Sequence, residues 1–99
     1  MFCIKIHKSY RNVIAVCDSD ILGKKFEDEL RQLDVRENFF KEKVVMKEEI
    51  LKIFTSQLFE DSTYNIVGEN SVNLALEACV INEECISRIQ NIPFALKLL

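Results

Sequence analysis

The N-terminal part of the chain alternates apolar and polar residues with the period of a β-strand. The alternation covers residues 2–7 and residues 12–17, with a short polar stretch between them. Two such runs joined in this way predict a β-hairpin. Pairing the isoleucines of the first run with the aliphatic residues of the second places Cys3 opposite Cys17. The two cysteines are then cross-strand neighbours, which can form a disulfide or remain two reduced thiols.

The region after the hairpin holds short turns and one ambiguous segment. Asp18 or Ser19 is suited to cap a helical turn that Gly23 ends. Residues 26–35 combine helical spacing with a final alternation that is typical of a strand. Residues 37–40 look like another short turn, and their aromatic pair is predicted to belong to the core.

The clearest helical pattern covers residues 45–59. Apolar residues recur there at helical spacing, with charged residues on the opposite side, so the segment predicts an amphipathic helix. Residues 63–67 favour a strand that stops at Gly68. A second helix follows, with Asn70 or Ser71 as its cap.

The C-terminal region predicts a third helix and a last strand. Asn82 and the two acidic residues after it begin a short helix that continues through Ile89. Pro93 ends this helix, and residues 94–99 finish as a strand. The whole pattern indicates one α+β domain over residues 1–99, with an N-terminal β-hairpin and a small mixed sheet packed with about three main helices.

Composition restricts the partners and the compartment. The chain has 99 residues, with 13 Lys or Arg and 16 Asp or Glu, and carries a net charge of −3. This acidic balance argues against sequence-independent binding to nucleic acid. No apolar run approaches the roughly 20 residues of a membrane-spanning helix, and the first residues lack the pattern of a signal peptide. We therefore expect a cytoplasmic protein with no membrane partner.

A candidate functional surface is built mainly from residues that follow the predicted strands. Asp18 and Asp20 can bind a hard cation such as magnesium, but carboxylates so placed also make good helix caps, and we favour capping. The corner at Gly68 can present backbone N–H groups to an anion. Because Glu69 would repel a phosphate, a structural corner is the favoured interpretation. The full candidate surface is Asp18, Asp20, Lys24, Asn65, Gly68 and Glu69.

Other chemistry finds little support in the sequence. No two cysteines form a Cys-x-x-Cys pair, so we expect no metal and no cofactor. His7 has no nucleophile or fixed partner beside it along the chain and is interpreted as a surface histidine. No set of acid, base and nucleophile can be assembled, so no small-molecule substrate is identified and an enzyme is the weaker hypothesis.

Three passages together resemble the small archaeal family catalogued as domain of unknown function 424. The likeness covers nearly the whole chain and implies no established activity. It also implies a strand from Leu30 to Val35, against the helical spacing of that segment. The passages are Lys5-Ile6-His7 with Ala15-Val16-Cys17-Asp18 and Leu22-Gly23-Lys24, then Leu33-Asp34-Val35, then Asn65-Ile66-Val67-Gly68-Glu69 with Val72 and Ala75.

This chain departs from the family pattern near its C-terminus. The family passage usually reads Gly-Val-Pro-His-Ala-Gln, and this chain has Asn91-Ile92-Pro93-Phe94-Ala95-Leu96 in its place. Any site that uses the histidine and the glutamine is lost here or lies elsewhere. An archaeal source would also favour disulfides, first between Cys3 and Cys17 and then between Cys79 and Cys85.

Three hypotheses of function follow. The leading one is a non-enzymatic module that binds a protein or a ribonucleoprotein assembly. The alternative is a small-ligand or metal-dependent enzyme with an acidic site near Asp18, Asp20, Asn65 and Glu69. Direct RNA binding is the third, and it requires a basic patch near the hairpin. That patch would consist of Lys5, Lys8, Arg11, Lys24 and Lys25.

Overall fold

A computed structural model describes residues 1–56 and 61–98. Its main element is a six-stranded mixed sheet, and two short strands form a second sheet. In chain order the strands are β1 (Phe2–His7), β2 (Val13–Asp18), β3 (Lys25–Glu27), β4 (Gln32–Asp34), β5 (Lys43–Val45), β6 (Thr63–Val67), β7 (Ile86–Ile89) and β8 (Ile92–Lys97). The helices are α1 (Glu37–Phe40), α2 (Lys47–Thr55) and α3 (Glu69–Glu77).

The large sheet has the strand order β5-β1-β2-β6-β8-β7. Its central pair, β2 and β6, is parallel, and every other neighbouring pair is antiparallel. The predicted hairpin is confirmed, with Cys3 opposite Cys17 and Ile4 opposite Val16. The predicted fold class is also confirmed, since the described residues form an α+β domain with three helices, a mixed sheet and a small hairpin sheet.

The two faces of the large sheet have different coverings. Helices α2 and α3 pack on the first face, where Ile14, Val16, Ile66 and Ile50 are fully buried. The second face carries a smaller apolar cluster, which β3, β4 and α1 cover only in part. This cluster contains Cys3, Ala15, Cys17, Ile21, Val35, Phe40 and Val67. The uncovered part of the second face is where a ligand can reach the sheet.

Two helix predictions were wrong in extent or in kind. A helix was predicted over residues 45–59. In the structure Val45 is the last residue of β5, and α2 covers only Lys47–Thr55. Residues 57–59 of that prediction lie outside the described residues. The predicted third helix is a 3₁₀ turn at Glu83–Cys85 followed by β7.

The hairpin of β7 and β8 explains the second error. Ile86 and Ile89 have a spacing that suits a helix, but Gln90 and Asn91 have φ angles of 51° and 64° and form the turn between two strands. Positive φ at both turn residues is typical of a two-residue hairpin. Pro93 lies inside β8 and does not end an element, and its carbonyl accepts the Gly68 N–H at 2.9 Å.

The ambiguous segment is a hairpin. β3 pairs with β4, which lies within the strand implied over residues 30–35. The helical spacing was misleading there because Leu30 is on the turn and points to solvent. Among the described helices, none is long and apolar enough to cross a membrane.

Candidate functional site

The strand ends of β2 and β6 form a closed corner. Because the two strands are parallel, their carboxyl ends lie at the same edge of the sheet, where α3 begins. Asp18 ends β2 there and is only 7% exposed. Its carboxylate accepts the backbone N–H of Asn70 at 3.1 Å, the backbone N–H of Ser71 at 2.8 Å and the Ser71 hydroxyl at 2.7 Å. Asp18 is therefore the cap of α3, in place of the predicted Asn70 or Ser71.

Gly68 makes this contact possible. Its φ is +109°, a backbone conformation that residues with a side chain rarely adopt. A Cβ at this position would lie 2.5 Å from the Cγ of Asp18. The backbone N–H groups at the start of α3, which can bind an external anion in other proteins, are thus taken by a carboxylate of the same chain. This geometry is that of a structural corner.

The other members of the predicted surface do not converge on that corner. Asp20 is exposed on the 3₁₀ turn at Ser19–Ile21, and Lys24 is exposed beyond it. Glu69 pairs with Arg88 at 3.5 Å. Asn65 lies on the second face of the sheet, whereas Asp18 points from the first face towards α3. The four residues of the alternative acidic site are therefore not one site, and no three His, Cys, Asp or Glu residues of the described chain are arranged to hold a metal ion.

The predicted basic patch is also divided. Lys8 and Arg11 lie in the turn before β2, whereas Lys24 and Lys25 follow its other end. The strand between them has six residues. A strand of that length separates its two ends by about 17 Å. The structure therefore does not bring the five basic residues together near the hairpin turn.

A groove on the second face is the strongest candidate site. It has a volume of about 600 Å³, within the range of about 300 to 1,000 Å³ that is usual for ligand pockets. Residues of β6 and β8 form its floor, and its wall is the continuous segment from β4 through α1. The side chains that matter most below are His7, Arg36, Phe39, Asn65, Phe94 and Leu96.

Side chains of β1 hold the α1 wall in place. Lys5 and His7 alternate along β1 and point to the second face. The Lys5 amine donates to the Asn38 carbonyl at 2.8 Å, and the Nε2 of His7 bonds the Phe39 carbonyl at 2.8 Å. Helix carbonyls in a last turn lack partners within the helix, so these two side chains satisfy them. The His7 ring also stacks on the Phe39 ring, with centroids 4.5 Å apart.

The His7 hydrogen bond fixes the ring's protonation pattern. A carbonyl can only accept, so Nε2 carries the hydrogen, and in the neutral ring Nδ1 is left as an acceptor. His7 is half-buried, and the Phe39 carbonyl is a fixed partner that its neighbours along the chain did not indicate.

The floor of the groove is mostly apolar. Phe94 and Leu96 project from β8 on the second face, while Ala95 between them is buried on the first. Leu96 is 51% exposed. Asn65 lies opposite Leu96 in the neighbouring strand, and both line the groove. The groove therefore combines an apolar floor with the polar amide of Asn65.

Two of these residues were missed or misassigned from the sequence. Phe39 was predicted to be core with Phe40; Phe40 is buried, and Phe39 is partly buried against the same apolar cluster and also lines the groove. Arg36 received no role, and its Nε donates to the Asp34 carboxylate at 3.0 Å at the edge of the groove. The one signal in the sequence was the alternation of side chains along β1, which places Lys5 and His7 on the same face of the sheet as Cys3.

The four cysteines are free thiols in the structure. Cys3 and Cys17 are cross-strand neighbours beneath the second face, as predicted, and are 1% and 0% exposed. Burial raises the pKa of both thiols. Cys79 is exposed, and the Cys85 thiol donates to the Asn82 side-chain oxygen at 3.5 Å.

Comparisons with known proteins agree with the resemblance. The crystal structure of an uncharacterized conserved protein from Methanopyrus kandleri superposes with a TM-score of 0.81 at 25% identity, over 97% of this chain and 89% of that one. A search of curated proteins gives no match. The family model described as "Protein of unknown function (DUF424)" matches residues 7–98. This match spans almost the entire sequence, and the chain therefore belongs to the DUF424 family.

Proposed function

We propose that this protein is a non-enzymatic interaction module that binds a partner protein through the groove on the second sheet face. The observation that carries the proposal is the open apolar floor at Phe94 and Leu96. An apolar surface left open on a small domain indicates a contact site when it lies in a concave region with a few polar groups at its edge. This groove meets both conditions.

The shape of the groove favours a protein segment over a small enclosed ligand. A groove with exposed apolar residues, such as Leu96, can receive one or two side chains that project from a partner. Such anchor residues supply most of the binding energy in protein interfaces. Burying a leucine or phenylalanine side chain contributes about 1.5 to 3 kcal/mol.

Polar groups at fixed positions in the groove can orient a bound segment. The Asn65 amide can both donate and accept, and the Nδ1 of His7 can accept. Both side chains sit on strands, which hold them more firmly than a loop would. They can therefore bond the backbone of a bound segment beside its anchor residue.

The test is purification of tagged wild-type protein from its native host at moderate salt, with and without nuclease, beside two variants. Leu96→Glu places a charge in the apolar floor. Tyr10→Asp places a charge on a fully exposed residue in the turn before β2 that does not line the groove, and is the matched control.

The expected result is a partner protein that survives nuclease, is retained by Tyr10→Asp and is lost with Leu96→Glu. Circular dichroism checks that both variants keep the fold. A partner set that Leu96→Glu leaves unchanged would refute the groove as the binding site. A partner set lost on nuclease treatment would replace the proposal with a role tethered by RNA.

A further inference from the structure

One side chain of the groove is of a type that gains or loses a proton near neutral pH. Among the described residues that line the groove, His7 is the only histidine, and the chain contains no other. Imidazole side chains exchange a proton between about pH 5 and 8, whereas carboxylates and guanidinium groups stay charged over that range. The half-buried His7 ring therefore gives the groove two states that differ in charge.

Two contacts hold this ring in place in both states. The Nε2–H of His7 donates to the Phe39 carbonyl at 2.8 Å, and the ring stacks on the Phe39 ring with centroids 4.5 Å apart. Nε2 carries a hydrogen in the charged imidazole as well, and a positive ring is attracted to an aromatic face. Proton uptake therefore leaves the α1 wall attached and changes only Nδ1.

At Nδ1 the proton converts an acceptor into a donor that carries positive charge. In the neutral ring Nδ1 can accept a backbone N–H of a bound segment. In the charged ring that hydrogen bond is lost, and an apolar side chain that covers the floor must remove water from the charge. Both effects weaken binding in the groove.

The groove offers little negative charge to offset a charged His7. Of the described residues that line it, only Asp34 is acidic, and its carboxylate pairs with Arg36 at 3.0 Å. The residues that β6 and β8 bring to the floor are uncharged. Val13, which lies opposite His7 on β2, is also uncharged.

The elements that adjoin His7 carry more basic than acidic residues. On β1, on the turn after it and on α1, the charged residues are Lys5, Lys8, Arg11 and Glu37, with Lys41 directly after α1. Glu37 and Lys41 pair with each other at 4.0 Å. Proton uptake by His7 therefore adds positive charge where positive charge is already in excess.

We propose that His7 makes binding in the groove depend on pH, so that a partner binds while the ring is neutral and is released as the ring takes up a proton. This inference rests on the proposed function, because it concerns regulation of the same groove. Affinity is full above the pH at which the ring titrates and falls as the pH decreases through it. By linkage, a bound partner makes the ring harder to protonate.

The test uses N-acetyl-leucine N-methylamide as the probe, because it has one apolar side chain, backbone N–H groups and no titratable group. Its binding to ¹⁵N-labelled protein is followed through the amides of Asn65 and Leu96 at about pH 8 and pH 5. With one leucine to bury, we expect a dissociation constant of roughly 10 mM at the higher pH. At the lower pH we expect binding about tenfold weaker. The amide spectrum without probe checks the fold at both pH values.

The ring nitrogens of the single histidine give an independent readout. Excess probe should lower the midpoint of the His7 titration by up to about one pH unit, because one unit corresponds to a tenfold difference in affinity. His7→Gln is the matched variant, since its amide can donate to the Phe39 carbonyl but cannot take up a proton in this range. Its affinity for the probe should be the same at both pH values.

Three results would overturn this inference: equal affinity of wild-type protein at the two pH values, a pH dependence that persists in His7→Gln, or no amide shift at either pH. The proposed function is decided separately by the purification with Leu96→Glu. A partner that is lost with Leu96→Glu, but that wild-type protein binds equally at both pH values, keeps the groove as a binding site and removes only its control by His7.

Discussion

Asp18 and Gly68 should be energetically coupled. Gly68→Ala would introduce a Cβ 2.5 Å from the Asp18 Cγ, at a φ of +109°. Strain at such a backbone position costs about 1 to 3 kcal/mol. The contact adds to this cost, because the carboxylate must move away from the N–H groups of α3. We expect a total loss of about 3 to 5 kcal/mol in the free energy of unfolding.

Asp18→Ala changes the other partner of the same contact. It removes the acceptor of three hydrogen bonds and leaves the buried Ser71 hydroxyl and N–H without that partner. An unsatisfied buried group costs about 1 to 3 kcal/mol, and loss of the charge at the helix start adds to this. We expect about 3 kcal/mol, which for a domain of this size lowers the melting temperature by roughly 12 to 24 °C.

The double variant separates the contact from the strain. Without the Asp18 carboxylate, the three atoms nearest to a Cβ at Gly68 are gone, so that contact is relieved while the backbone strain remains. The double variant should therefore lose about 1 to 3 kcal/mol less in the free energy of unfolding than the two single variants lose together.

Urea unfolding of all four proteins, followed by circular dichroism, measures this coupling. Trimethylamine N-oxide in every sample keeps the weakest variant folded. Losses that add to within about 0.5 kcal/mol would refute the close contact of Gly68 with Asp18.

Two further predictions concern groups outside that corner. Cys79 should react at once with a thiol reagent, whereas Cys3 and Cys17 should react only after unfolding, because burial hides them and raises their pKa values. The intact mass measured without reductant should show no loss of the two hydrogens that a disulfide removes. Rapid modification of all thiols in the folded protein would contradict this prediction. Hydrogen bonds from the backbone N–H groups of Leu30 and the next residue lower the pKa of Asp28, so its support of the turn is present at neutral pH and lost as pH falls below about 4 through that pKa. An NMR titration should give a midpoint below that of an ordinary aspartate, and a midpoint at or above it would be inconsistent with these bonds.

Local patterns predicted the hairpin of β1 and β2 but not the equally local hairpin of β7 and β8. The hairpin of β1 and β2 follows from two alternating runs, and its register follows from matching their apolar residues. The segment from Ile86 to Ile89 failed because its spacing suits a helix as well as a strand. Its strand form comes from pairing with β8 across the turn at Gln90 and Asn91, and apolar spacing alone does not show which pairing the chain adopts.

The candidate site was less predictable for the same reason. Asp18 was expected to cap the turn beside it, but it caps a helix whose first N–H groups lie 52 and 53 positions further along the chain. The corner at Gly68 was predicted as structural because one glycine followed by an acid is a poor anion site. The groove escaped prediction because His7, Phe39, Asn65 and Phe94 come from four separate segments that only the folded sheet brings together.

The resemblance to the family implies a histidine and a glutamine where this chain has Phe94 and Leu96. Both of these side chains line the groove, whereas Ala95 between them is buried on the other face. Two polar-to-apolar changes on alternate strand positions alter one face only. They remove two hydrogen-bonding groups from the floor and add apolar surface. We therefore expect the groove of this chain to select an apolar side chain, and the grooves of relatives with histidine and glutamine to select a polar one.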